Sequence, residues 1–157
     1  MFNTITIVGV GLISGSFSLA LKDRGLVKKV IGVSRTEASA KKALELGIID
    51  EILPLAEAVK QSDLIYVAIP VDVTVPVMGS VMEIVTDRQI VADAGSTKHF
   101  LCSALANHPM RKRFVATHPM WGTEYSGPES ATRDSFAGRS CVICEKEKSD
   151  AGAVKII

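Results

Sequence analysis

The sequence predicts an α/β domain on a mainly parallel sheet with helices on both faces, and three observations predict it. Short runs rich in β-branched residues recur along the chain. Segments of roughly 10 to 15 residues with helical spacing separate them, and glycines close two of those segments. Regular alternation of this kind means βαβ units, whose right-handed crossovers lay helices on each side of one sheet. With 157 residues, the chain matches the size of one ordinary domain and suffices for one core.

The elements run in this order. "TITIVG" (4–9) is the first buried strand, and "LISGSFSLALKDRG" (12–25) the first helix, ending at Gly25. "VIGVS" (30–34) is the second strand, and "RTEASAKKALELG" (35–47) the next helix, closed by Gly47. "LIYVAI" (64–69), "QIVADA" (89–94), "RFVAT" (113–117) and "SCVICE" (140–145) are further strands. A helix starts near Thr97, with Ser96 as its N-cap and His99 in its first turn. "MRKRF" (110–114) reads as a solvated turn, and His108 as a surface residue. Finally "KSDAGAVKII" offers Ser149 or Asp150 as N-cap and then apolar helical residues up to Ile157, with no C-cap. Residues 1–148 are therefore expected to form the domain, and 149–157 to begin a helix that leads into a C-terminal one.

Composition narrows the partners. A net charge of +1, with 22% charged and 47% hydrophobic residues, is too balanced for electrostatic nucleic-acid binding and too apolar for disorder. No apolar run reaches the roughly 20 residues that cross a bilayer, and the first residues lack the pattern of a secretory signal. A cytoplasmic protein is expected, without membrane or nucleic-acid partner. Cys102, Cys141 and Cys144 suit a reducing compartment. Cys141 and Cys144 spell C-x-x-C, but inside a strand, where positions three apart face opposite sides; neither redox chemistry nor a metal site is expected there.

The chemistry starts at the end of the first strand, which runs into Gly9-Val10-Gly11-Leu12-Ile13-Ser14. In this G-x-G-x-x-S pattern Gly9 permits a tight turn, Gly11 lets backbone approach a pyrophosphate, and the small Ser14 lets helix and strand pack. The helix opening at Leu12 and Ile13 turns its unpaired amides and positive dipole end toward phosphate. This context, strand, glycine turn, helix and second strand, is that of a Rossmann-type, doubly wound dinucleotide-binding fold. The second strand ends in Ser34-Arg35-Thr36 where an NAD-binding fold commonly carries a carboxylate for the ribose hydroxyls. Hydroxyls and a guanidinium suit a 2′-phosphate, so NADP is favoured over NAD. Ile69 and Pro70, after "LIYVA", are placed beside the cofactor. Ligands in such sheets bind beyond the carboxyl ends of the strands, so these residues, Ser96 and His118 are expected to meet on one edge.

Four pieces, "GVGLISGS", "VAIPV" at 67–71, "DAGSTK" at 93–98 and "HPMWGTE" at 118–124, resemble the N-terminal domain of the prephenate/arogenate dehydrogenases of tyrosine biosynthesis over nearly the whole chain. The resemblance implies NAD(P)-dependent oxidation of a ring carbinol of prephenate or arogenate with loss of CO2. It implies that His118 is the catalytic histidine and that Ser96 is the serine that contacts the substrate hydroxyl and orients that histidine. Thr123 and Glu124 then line or gate the substrate pocket, and the full-length protein is a homodimer through a C-terminal helical domain. Aromatisation drives the reaction, so no metal or covalent nucleophile is required; a neutral imidazole that accepts the hydroxyl proton is enough.

Two other readings fit the glycine turn. A β-hydroxyacid dehydrogenase or imine reductase would bring a lysine from another domain to the nicotinamide. A non-catalytic NAD(P)H sensor would have no need of the 118–124 loop at that end of the site.

Overall fold

The computed structural model describes residues 1–157, and its strands alternate with helices as the sequence predicts. The strands are β1 (Phe2–Val8), β2 (Val27–Val33), β3 (Glu51–Ile52), β4 (Leu64–Val67), β5 (Ile90–Asp93), β6 (Phe114–Pro119) and β7 (Cys141–Cys144). The helices are α1 (Leu12–Asp23), α2 (Glu37–Glu45), α3 (Leu55–Gln61), α4 (Val71–Met82), α5 (His99–Leu105) and α6 (Ala151–Ile156). One seven-stranded sheet has the order β3-β2-β1-β4-β5-β6-β7. Every ladder is parallel except the last, in which β7 runs antiparallel to β6. Strand order reverses between β1 and β4, and in doubly wound sheets the crevice at such a point takes the ligand.

Successive strand residues face opposite sides, and both sides are apolar, as a sheet covered on two faces demands. Ile5, Ile7, Leu64 and Tyr66 point into one core with Leu19 of α1, Ala43 of α2 and Ala153 of α6. Val8, Ile65 and Val67 point into the other with Val59 of α3, Met78, Val81 and Met82 of α4, and Leu101 and Leu105 of α5. No helix is long and apolar enough to cross a membrane.

Several elements depart from the sequence reading. The two-residue β3 was too short to give a pattern. In α4, β-branched residues and Pro76 mask a helix that begins after Pro70, a residue suited to helix starts because its missing N–H is not needed there. Helix α5 starts at His99 with Lys98 at its N-cap, so Ser96 lies in the loop before it and is not the cap. Strand β6 runs on to Pro119 because β7 pairs with it, His118 facing Val142; the histidine is in the ladder, not in a loop after it. "MRKRF" is no solvated turn throughout. Arg111 is buried, donating to the Phe114 carbonyl at 2.8 Å and to the Glu145 carboxylate at 3.1 Å. His108 is partly buried and accepts the Met110 amide at its Nδ1, at 3.1 Å. Of the two caps the sequence offered for α6, the structure has Asp150, its carboxylate accepting the Gly152 amide at 2.8 Å.

Candidate functional site

At the end of β1 the chain turns where side chains are missing. Gly9 has φ +87°, and a Cβ there would sit 2.3 Å from the Ala68 carbonyl oxygen; conformation and space both demand glycine. At Gly11 a Cβ would meet no protein atom within 4 Å. Its bareness serves no packing and faces open space at the start of α1. Ser14 is fully buried, and its hydroxyl donates back to the Gly9 carbonyl at 2.5 Å. Its small size allows helix and strand to pack, as expected, but it acts on the turn from behind instead of touching a ligand. Gly15 continues the theme: a Cβ there would sit 2.8 Å from that of Ala131. Close packing brings in the 3₁₀ turn Pro128–Ser130, and the Thr132 amide donates to the Ser16 hydroxyl at 2.9 Å.

Helix α1 has Gly11 at its N-cap, no side-chain cap and no acidic residue in its first turn. Its leading amides are left for an external acceptor, and nothing opposes an anion. They open on a cleft of about 590 Å³ lined by Gly9, Gly11, Ser34, Arg35, Thr36, Ile69 and Pro70. The sequence assigned all seven to one cofactor, and the fold brings them to one groove. An adjoining hollow of about 360 Å³ adds Leu12, Ile13 and Thr123. Ser39, Gly127 and Pro128 also border the larger groove and were missed; nothing in their local sequence marks them.

At the second-strand end, Thr36 is spent on the helix. Its hydroxyl caps α2 by accepting the Ser39 amide at 3.4 Å. The Ser34 hydroxyl donates to the Thr36 carbonyl at 3.0 Å. Arg35 is exposed and none of the ion pairs involves it, which leaves its guanidinium available at the groove.

Ser96 and His118 occupy neighbouring places on the same edge, one in the loop after β5 and the other near the carboxyl end of the adjacent β6. Neither lines the two hollows described, and Glu124 is exposed outside them. The residues beside both are bound by Asp93, which is fully buried. Its carboxylate accepts the Gly95 amide at 3.0 Å and the Thr117 amide at 3.3 Å. It pairs with the Lys98 ammonium, itself nine-tenths buried. Burial pushes the Asp93 carboxyl up, against the opposing pull of Lys98 and the two amides. The "DAGSTK" segment held this pair in plain view, yet sequence reasoning took only Ser96 from it.

Fold and site together define a Rossmann-type dinucleotide-binding domain. Residues 17–157 match the family model described as "Prephenate dehydrogenase, nucleotide-binding domain", and the chain belongs to that family. It is 32% identical to the prephenate dehydrogenase of Bacillus subtilis over 99% of its own length and 43% of that protein's. It superposes with a TM-score of 0.91 and 32% identity on the Aquifex aeolicus prephenate dehydrogenase, solved in complex with hydroxyphenyl propionate and NAD+; 99% of this chain covers 55% of that one. The Synechocystis arogenate dehydrogenase gives 0.86 and 26%, covering 98% of this chain and 54% of that one. The chain thus spans about half the length of the relatives it matches.

Proposed function

We propose that this chain is the cofactor-binding half of an NAD(P)-dependent dehydrogenase that oxidatively decarboxylates prephenate or arogenate in tyrosine biosynthesis. The observation that carries the reading is convergence within a member of this family. The uncapped helix behind the glycine turn, the Ser96 loop and His118 all lie at the carboxyl edge of one parallel sheet.

The groove suits a dinucleotide: bare backbone at Gly11, free amides at the head of α1 and a free guanidinium at Arg35 supply donors for phosphate. Bound there, the nicotinamide would accept a hydride. The chain's own residues then have three tasks. Leu12, Ile13, Ile69 and Pro70 provide walls that hold the cofactor flat and keep water off it. Neutral His118 accepts the proton of the substrate hydroxyl as the carbonyl develops. Ser96 bonds to the same hydroxyl and keeps the imidazole turned toward it. Thr123 and Glu124 stand on the substrate side.

We assign NADP in preference to NAD, because Arg35 is uncommitted where a carboxylate would repel a 2′-phosphate. The solved Aquifex relative carries NAD+, so direct titration with both cofactors decides the point; equal affinities would remove the assignment. We assign residues 1–148 to the nucleotide-binding domain and 149–157 to the start of a helix leading to a C-terminal helical domain. That domain would supply the other wall of the substrate cleft and the homodimer contact, in a cytoplasmic enzyme. An apolar groove of about 420 Å³ bordered by Phe17, Tyr66, Ile156 and Ile157 supports this, being a surface that a second domain could cover.

The test replaces His118 by Asn in the full-length protein. Turnover with prephenate or arogenate should fall on the order of 100-fold or more, in line with loss of a general base, while cofactor affinity stays within about threefold of its original value. A variant that turns over normally would sink the assignment.

A further inference from the structure

The buried charge pair at the end of β5 invites an explanation other than stability. Taking a carboxylate and an ammonium out of water costs about as much as their attraction returns, so a buried pair is poor material for holding a fold together. What such a pair does supply is direction, since each partner accepts few geometries.

Here the directions are informative. The regular β5–β6 ladder covers only Val91 with Phe114 and Ala92 with Val115. Past that point Asp93 takes over: its carboxylate accepts the Thr117 amide, and its carbonyl accepts the Thr117 hydroxyl. Thr117 is the residue before His118. The second carboxylate oxygen accepts the Gly95 amide and the Lys98 ammonium, which bracket Ser96 on both sides. Gly95 also sits close to it: a Cβ there would lie 3.0 Å from that oxygen, so a larger residue would press on the carboxylate. One carboxylate therefore reaches the neighbours of both residues.

Building on the dehydrogenase reading above, we propose that Asp93 is the positioning residue that sets Ser96 and His118 relative to each other. It acts through Gly95 and Lys98 on one side and Thr117 on the other. It touches no substrate and transfers no proton. Its effect is to make the serine loop and the histidine strand move as one body, so that two hydrogen bonds to a single substrate hydroxyl can be made at once.

The test is Asp93→Asn in the full-length protein, read in three ways. Turnover should fall on the order of 100-fold, with KM and cofactor affinity within about threefold of the original values. Adding Asp93→Asn to His118→Asn should cost little more than His118→Asn alone, because both remove the same alignment. Amide hydrogen exchange at Gly95 and Thr117 should quicken, while β1 and β4 keep their protection. Near-normal turnover of Asp93→Asn, losses that multiply in the double variant, or unchanged exchange at Gly95 and Thr117 would each overturn the proposal. If His118→Asn itself turns over normally, the dehydrogenase assignment fails instead, and the exchange measurement still decides whether Asp93 couples the two segments. Should the lone Lys98 charge prevent Asp93→Asn from folding, Asp93→Asn with Lys98→Met removes both charges, and the same three readings apply.

Discussion

The carboxyl edge of the sheet is shaped by opposite means on its two sides. Between β1 and α1 the backbone comes close to its surroundings because side chains are absent: Gly9 lies against Ala68 and Gly15 against Ala131. Between β5 and β6 the backbone is directed by a side chain that is present, the Asp93 carboxylate, where the ladder gives out. A surface meant for phosphate, which any amide can bind, needs access more than aim. A surface that holds one hydroxyl, the role proposed for Ser96 and His118, needs aim. The first is achieved by deletion to hydrogen, the second by a buried charge whose few partners fix its geometry.

Substitutions on the glycine side should have the largest effect and divide cleanly. Gly9→Ala meets both a positive φ and a carbonyl oxygen at 2.3 Å, so unfolding free energy should drop by about 3 kcal/mol or more, visible as a shifted denaturant midpoint. Gly11→Ala meets no protein atom. It should leave that midpoint within about 1 kcal/mol of its original position and instead weaken nucleotide binding in a fluorescence titration. If the two behave alike, the distinction between a glycine for the fold and a glycine for the ligand is lost.

Arg35→Ala comes next. The side chain holds nothing in the fold, so the melting temperature should stay put, while affinity for NADPH falls about tenfold, the low end expected for a charge-assisted contact at an exposed site. Affinity for NADH should change little. A matching loss for both cofactors would place Arg35 on a phosphate they share.

Ser14→Ala removes the bond to the Gly9 carbonyl without changing the packing size much. A loss of about 1 kcal/mol in stability is expected, with a parallel, smaller loss of nucleotide affinity as the turn loosens. No change in either would show that glycine alone shapes the turn.

The smallest effect probes the chemistry side through pH. Lys148 and then Arg111 hold the Glu145 carboxyl below its ordinary range. A carboxyl with a lowered folded-state value stabilises the protein above its unfolded value, about 4.3, and that contribution fades as pH falls through the folded value. Comparing Glu145→Gln with the unaltered chain by denaturant unfolding, the stability difference should be present at neutral pH and close as the solution is acidified below pH 4. A constant difference across that range would remove Glu145 from the account of how the 145–150 segment is fastened to β6.

Much of this was legible in the sequence because the signals were local. Gly9, Gly11 and Ser14 fall within six residues, and short, nearly continuous runs rich in β-branched residues announce strands buried on both faces. The exceptions have physical causes. Helix α4 was hidden by valines and Pro76, whose weak propensity is overridden by Met78, Val81 and Met82 packing on the sheet. Arg111 looked like one charge in a basic cluster, and its burial depends on Glu145, 34 residues away. His118 was read as a loop residue because nothing nearby reveals that β7 folds back to pair with it. Asp93 stood inside a motif already noticed, but its role rests on Thr117, which only the adjacency of β5 and β6 brings near.

The antiparallel β7 has a mechanical consequence. With its backbone paired to Val142 in the ladder, His118 adjusts to an incoming molecule mainly through its side chain, whose first torsion has a few discrete wells while the second is broad. The proton acceptor in the proposed reaction is therefore a stationary anvil. A closing movement that brings reactants together then falls to whatever approaches the sheet edge from outside.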